Sequence, residues 1–164
     1  MSTTNGNFTK INRVKVLDEL VVSKATIGEN RRRVINHVFT GNGESLTLSP
    51  KLHDNSIIMA YSSSVNDLIY LPASTVDMAG FSCDIICANS VGFLGIMSLG
   101  SGTAVGQIVN ANGTSTSLAA GTFGVNVNAG SLPAERDAHI NVWCDGNRYH
   151  FFGKASVSGA LTAI

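Results

Sequence analysis

Between residues 46 and 152, short apolar runs alternate with turns built from Gly, Ser, Asn and Thr, and almost no charge interrupts them. The segments SLTL, SIIMAY, DLIYLP, FSCDIICA, GFLGIMSLG, GQIVNA, GTFGVNVNAG and HINVWCDGNRYHFFG read as about eight strands joined by tight turns. A chain of this kind specifies a shape more clearly than a reaction. Its 164 residues suffice for one domain with a core and a short appendage.

Hydrophobic residues make up 44% of the chain and charged residues 13%, about half the usual globular share of charge. The surface must therefore be covered largely by Ser, Thr, Asn and Gly. A monomer with this surface and a net charge of zero is poorly protected against self-association, so a stable oligomer or lattice is expected. The same neutrality argues against nucleic acid as a partner, since that contact needs a dense basic patch. The one basic run, Arg31-Arg32-Arg33, is short and leads into Val34 and Ile35, which suits a solvated or interfacial role. No apolar stretch approaches the roughly 18 residues of a membrane span, and no membrane insertion is expected. The first residues, MSTTNGNFTK, carry no apolar core of a signal peptide, so synthesis in a cytoplasm is expected.

Residues 1–30 differ from the rest and are expected to form an arm or anchor, with the β-domain spanning residues 31–164. Within the arm, Ile11, Val14, Leu17 and Val21 would share one helical face. Its β-branched content and the Gly28-Glu29-Asn30 turn instead favour extended segments. Both conformations stay open, and in either the segment needs other surface to bury its apolar side.

Gly41-Asn42-Gly43 suggests a hairpin-like pair, Leu71-Pro72 ends a strand, and the 100–106 glycine stretch reads as a hairpin turn. The clearest hairpin has Ile140, Val142 and Cys144 alternating, an Asp145-Gly146 turn, then Tyr149, Phe151 and Phe152. Trp143 points to the face opposite Val142. No true internal repeat is evident, so neither a solenoid nor a propeller is expected. The resulting fold class is all-β, an antiparallel, jelly-roll-like sandwich with an extended N-terminal arm.

The sequence offers little for catalysis. The 11 carboxylates are scattered, mostly beside turn residues where they cap backbone groups. His37, His53, His139 and His150 show no metal-ligand spacing; His37 and His150 sit inside strand patterns and read as structural or interfacial. Cys83, Cys87 and Cys144 form no even disulfide set and read as buried thiols, with Cys83 and Cys87 on one strand face. No Gly-x-Ser-x-Gly elbow occurs, and the 100–106 stretch fits no phosphate-binding pattern. No enzyme activity, cofactor or metal is expected.

Two elements carry a resemblance. In the first, a strand ends in Leu71-Pro72-Ala73, a loop reaches Gly80, and the next strand begins with Phe81. In the second, VNVNAGS is followed by HINVWCDGNRYHFFGKA, a closing hairpin with Trp, an Asp-Gly turn and a terminal aromatic-Gly pair. Together with the segment RVKVLDELVVSKATIG, this order of features resembles virion appendage and decoration proteins of tailed phages and other large double-stranded DNA viruses. The resemblance implies a homotrimer of β-sandwich subunits attached to major capsid or tail proteins of a virion. It implies no catalytic residues.

The leading expectation is thus a non-enzymatic virion protein, a trimeric capsid decoration or fibre/knob subunit. Val14, Val16, Leu20, Val22, Arg31, Arg32 and Arg33 are the candidates for capsid or trimer contacts. The alternative is a lectin-like tip that recognises host surface glycans. Its candidate ligand-facing residues are Tyr61, Asp67, Trp143, Asp145, Asn147 and Tyr149, because exposed aromatic and polar loop residues stack on and hydrogen-bond sugars.

Overall fold

A computed structural model of the chain describes residues 32–62, 66–89, 93–99, 104–110, 113–118, 123–128, 138–155 and 161–164. The arm candidates Val14, Val16, Leu20, Val22 and Arg31, and the choice between helix and strand for their segment, lie outside the described residues.

The described chain is almost entirely β and forms two sheets packed together. The strands of the larger sheet are β1 (Arg33–Phe39), β3 (Ser56–Ser62), β5 (Ser82–Asn89), β7 (Ala104–Val109), β8 (Ser115–Leu118), β10 (Ala138–Cys144) and β11 (Tyr149–Ala155). Their spatial order is β1-β3-β5-β10-β11-β7-β8. The smaller sheet holds β2 (Ser45–Thr47), β4 (Asp67–Leu71), β6 (Phe93–Ser98), β9 (Gly124–Asn128) and β12 (Leu161–Ala163), in the order β12-β9-β6-β4-β2. One α-helical turn, Pro50–His53, with Pro at its start, links β2 to β3.

The expectation of a two-sheet sandwich is met, but the sheets are mixed rather than antiparallel. From β1 to β6 every strand lies in the sheet opposite its predecessor. The chain therefore winds three times around the core, stacking β1, β3 and β5 in parallel on one side and β2, β4 and β6 in parallel on the other. These windings are not the antiparallel Greek keys of a jelly roll. Nor is Gly41-Asn42-Gly43 a hairpin turn: the chain there crosses from β1 in one sheet to β2 in the other, with Gly43 at a φ of +70°. The strands flanking residues 100–103 likewise lie in different sheets. Antiparallel pairing dominates the second half, where β10 joins β5 to β11 and β9 joins β6 to β12.

Register explains why these sequences settle here. Across the larger sheet, Ile35, Ile58, Ile85, Ile140, Gly153 and Ile108 fall in one inward-facing row. Opposite it, Leu46, Ile69, Ile96 and Val125 line up across the smaller sheet. Ile58, Ile85, Ile140, Ile108, Ile69, Ile96 and Val125 are wholly buried. Each such side chain contributes roughly 1.5–3 kcal/mol by leaving water. Gly153 interrupts the isoleucine row for a reason: a Cβ there would stand 3.0 Å from the Ile108 side chain and 3.1 Å from that of Leu161 in β12. Gly124 is constrained more severely, since an added Cβ would fall 1.9 Å from the Ile96 carbonyl oxygen.

Cys83 and Cys87 share the inward face of β5, and with Cys144 they are buried, free thiols. Burial pushes the Cys83 and Cys87 thiols up to about 12, so both stay protonated and behave as small apolar groups. We predict that Ile85→Ala lowers unfolding stability by about 2–5 kcal/mol in a denaturant titration. Ser117→Ala, on the exposed part of β8, is expected to stay within about 0.5 kcal/mol of the parent; equal losses for the two would contradict the row as the core.

Candidate functional site

The turn between β10 and β11 is organised by one carboxylate. Asp145 Oδ1 accepts backbone N–H groups from Asn147 and Arg148, both at 2.8 Å, while the Asp145 N–H donates to the Arg148 carbonyl at 3.2 Å. This is the local bonding that makes Asp a turn residue, and Gly146 beside it takes the positive φ, +91°, that a side chain would resist. Oδ2 pairs with His150 Nε2 at 2.8 Å and faces Arg148 Nε at 3.8 Å. The His150 contact first, then the two backbone donors, holds the Asp145 carboxyl far below its ordinary 3.8.

His150 in turn lies flat on Trp143, its register partner across the hairpin, with ring centroids 3.9 Å apart and planes 10° apart. The chain Asp145–His150–Trp143 thus fixes a half-exposed indole on the outer face of the larger sheet. Val142 beside it is buried, so Trp143 does face away from the core as its position in the strand requires.

The Leu71-Pro72-Ala73…Gly80-Phe81 element docks against this hairpin. After β4 ends at Leu71, the chain passes Pro72, makes the 3-10 turn Val76–Met78, and reaches Gly80 at a φ of +92°. The Gly80 N–H donates to the Cys144 carbonyl and the Cys144 N–H to the Phe81 carbonyl, each at 2.9 Å. Ser74 Oγ donates to the Asn147 carbonyl at 3.0 Å. Phe81 meets Tyr149 edge-on, with centroids 6.4 Å apart. A Cβ on Gly146 would stand 3.2 Å from the Ala79 methyl carbon. The Leu-Pro-Ala…Gly-Phe element and the Trp…Asp-Gly hairpin, distant in sequence, therefore form one unit at one end of the sandwich.

A separate polar cluster lies on the outer face nearby. Asp84 on β5 and Asn141 on β10 are register partners, and Asn141 Nδ2 donates to Asp84 Oδ1 at 2.8 Å. Arg32 Nη1 pairs with Asp84 Oδ2, its Nη2 donates to the Ser56 carbonyl at 2.9 Å, and His139 Nε2 stands 3.3 Å from Oδ1. Burial of Asp84 opposes its charge, but Asn141, Arg32 and His139 together outweigh it and the carboxyl sits below its ordinary value. Arg32 is thus engaged within its own chain, while Arg33 is exposed and donates to the Leu52 carbonyl at 3.2 Å.

The remaining sequence candidates divide by exposure. Tyr61, Trp143, Asp145 and Asn147 are at the surface. Asp67 is wholly buried, where it accepts the Glu44 N–H at 3.0 Å and the Ser62 hydroxyl at 2.5 Å, so it ties two windings together instead of facing a ligand. Tyr149 is also wholly buried in the core, and burial pushes its phenol upward. The Asp84 cluster escaped the sequence reading because it depends on the β5–β10 register, which joins residues 57 positions apart. Among the described residues no group of three or more His, Cys, Asp or Glu side chains is placed to hold a metal ion. No helix among them is long and apolar enough to cross a membrane. Comparison with known proteins returns no matching family model, curated protein or solved structure.

Asp145→Ala is predicted to lower the unfolding temperature at neutral pH. A carboxyl whose folded pKa is depressed stabilises the fold above its unfolded value and loses that effect as pH falls through the folded one. The gap between parent and Asp145→Ala should therefore shrink as pH drops below 3.8. Thermal unfolding between pH 7 and pH 2 reads this out; a gap that stays constant, or widens in acid, would contradict the assigned role.

Proposed function

We propose that this chain is a non-enzymatic structural subunit of a virion, a homotrimeric capsid decoration or fibre/knob protein of a tailed phage or other large double-stranded DNA virus. One observation carries the reading. The two sequence elements that resemble such proteins are joined by the hydrogen bonds among Gly80, Phe81 and Cys144 and by Ser74 to Asn147. They meet because β5 and β10 are neighbouring strands, and the Gly80, Phe81 and Cys144 bonds continue that pairing past Ser82 and Trp143. A low-charge β surface that favours assembly over free monomers supports the same reading. In this account residues 1–30 act as the arm that engages capsid or tail, and the β-domain is the repeated body. Many weak attachments then add by multivalency.

The lectin-like reading draws less support. Asp67 and Tyr149 are buried, and both Asp145 oxygens already have partners within the chain. Tyr61 and Trp143 offer the flat half-exposed rings that sugars stack on, and packing between subunits uses such rings equally well.

Quantitative mass spectrometry of purified particles of the encoding virus tests the proposal. The protein is expected in intact particles at a copy number divisible by three. Its presence in infected-cell lysate but absence from purified particles would refute the virion assignment.

A further inference from the structure

Nine large apolar side chains are exposed among the described residues, and they are unevenly distributed. Five of them, Val34, Val38, Tyr61, Trp143 and Phe152, belong to strands of the larger sheet and project from its outer face. None belongs to a strand of the smaller sheet. Exposure along this face runs from 37% at Trp143 to 60% at Val38. Large apolar residues gathered on one sheet face mark an interaction surface; the same number scattered singly would not.

Charge narrows the identity of what covers it. On this face Asp84 is neutralised by Arg32, and His150 is engaged by Asp145. Among the described residues, Lys154 is the one outward-facing charged side chain of these strands without a partner. A polyanion or a strongly charged protein finds almost nothing to pair with here. A second copy of this chain, with 13% charged residues and no net charge, matches the face in polarity. Size agrees as well. Seven strands at about 4.8 Å spacing and about 20 Å in length give on the order of 600 Å² in projection. That approaches the roughly 800 Å² per partner of a standard interface.

Among the described residues no strand covers the β1 edge adjoining this face. β1 ends the larger sheet, and within its span, RVINHVF, there is no proline and Arg33 at its start is the lone Lys or Arg. Sheet edges kept free of partners usually carry such blocking residues.

We infer that the outer face of the larger sheet packs against other copies of this chain, with Val38, Tyr61, Trp143 and Phe152 in the contact. The inference rests on the homo-oligomeric reading above and assigns its contact surface to the sheet as well as to the arm. Phe152→Glu and Val38→Glu each place a carboxylate in that contact, where burial without a partner is costly. Phe123→Glu places one at an exposed position outside the face and serves as the control.

Light scattering on a sizing column gives the mass of each full-length variant, with far-ultraviolet circular dichroism checking the fold. The parent and Phe123→Glu are expected near three times the subunit mass of 17.2 kDa. Phe152→Glu and Val38→Glu are expected to fall toward one subunit while keeping a β spectrum. Should one of these two lose its fold, the other decides. A trimeric parent whose two face variants remain trimeric would overturn this inference and leave the trimer standing. A monomeric parent would overturn both.

Discussion

The row formed by Ile35, Ile58, Ile85, Ile140, Gly153 and Ile108 is the constraint on which the rest of the sandwich depends. It crosses parallel and antiparallel ladders alike, so a single inward row reconciles two kinds of strand pairing. Slipping β5 by one residue would turn Cys83, Ile85 and Cys87 outward and drive Asp84 and Ile86 into the core. Burying Asp84 away from Arg32 and Asn141 would cost several kcal/mol, so the polar cluster outside and the isoleucines inside enforce one register from both faces. The gap at Gly153 admits Leu161 from the opposite sheet and so keys the two layers together.

The second half of the chain was the more legible. Asp145-Gly146 specifies its own turn through local hydrogen bonds, so the β10–β11 hairpin and its buried residues Ile140, Val142 and Cys144 follow from alternation alone. Leu71-Pro72 likewise marks the end of β4, because proline cannot extend a ladder. The first half misled for a physical reason. Gly41-Asn42-Gly43 signals that the chain bends, but the same bend serves a hairpin within one sheet or an arch between two. Which one forms depends on whether β1 finds β2 or β3 as its neighbour, and that is settled by contacts remote in sequence. The three windings also share no sequence repeat, because only the inward row is common to them and its spacing varies with each loop.

The candidate site shows the same division. Trp143 and the Asp145 turn were readable because their environment is local. Asp67 looked like a loop carboxylate beside Asn66, yet it reaches across to Glu44 and Ser62 and holds successive windings. Tyr149 looked like a turn aromatic, but alternation from Phe151 places it in the core. What emerges is an end of the molecule held together by Gly80, Cys144 and Asp145, next to a broad sheet face whose charges, Lys154 apart, are paired within the chain.

Trp143 is the chain's single tryptophan and stands on that face, so it reports on the face without any substitution. The most direct measurement is acrylamide quenching of its fluorescence in the full-length assembled protein, against the same protein diluted or unfolded to single chains. The account predicts an indole shielded in the assembly and readily quenched once the chains separate. An indole quenched as freely in the assembly as in single chains would contradict it.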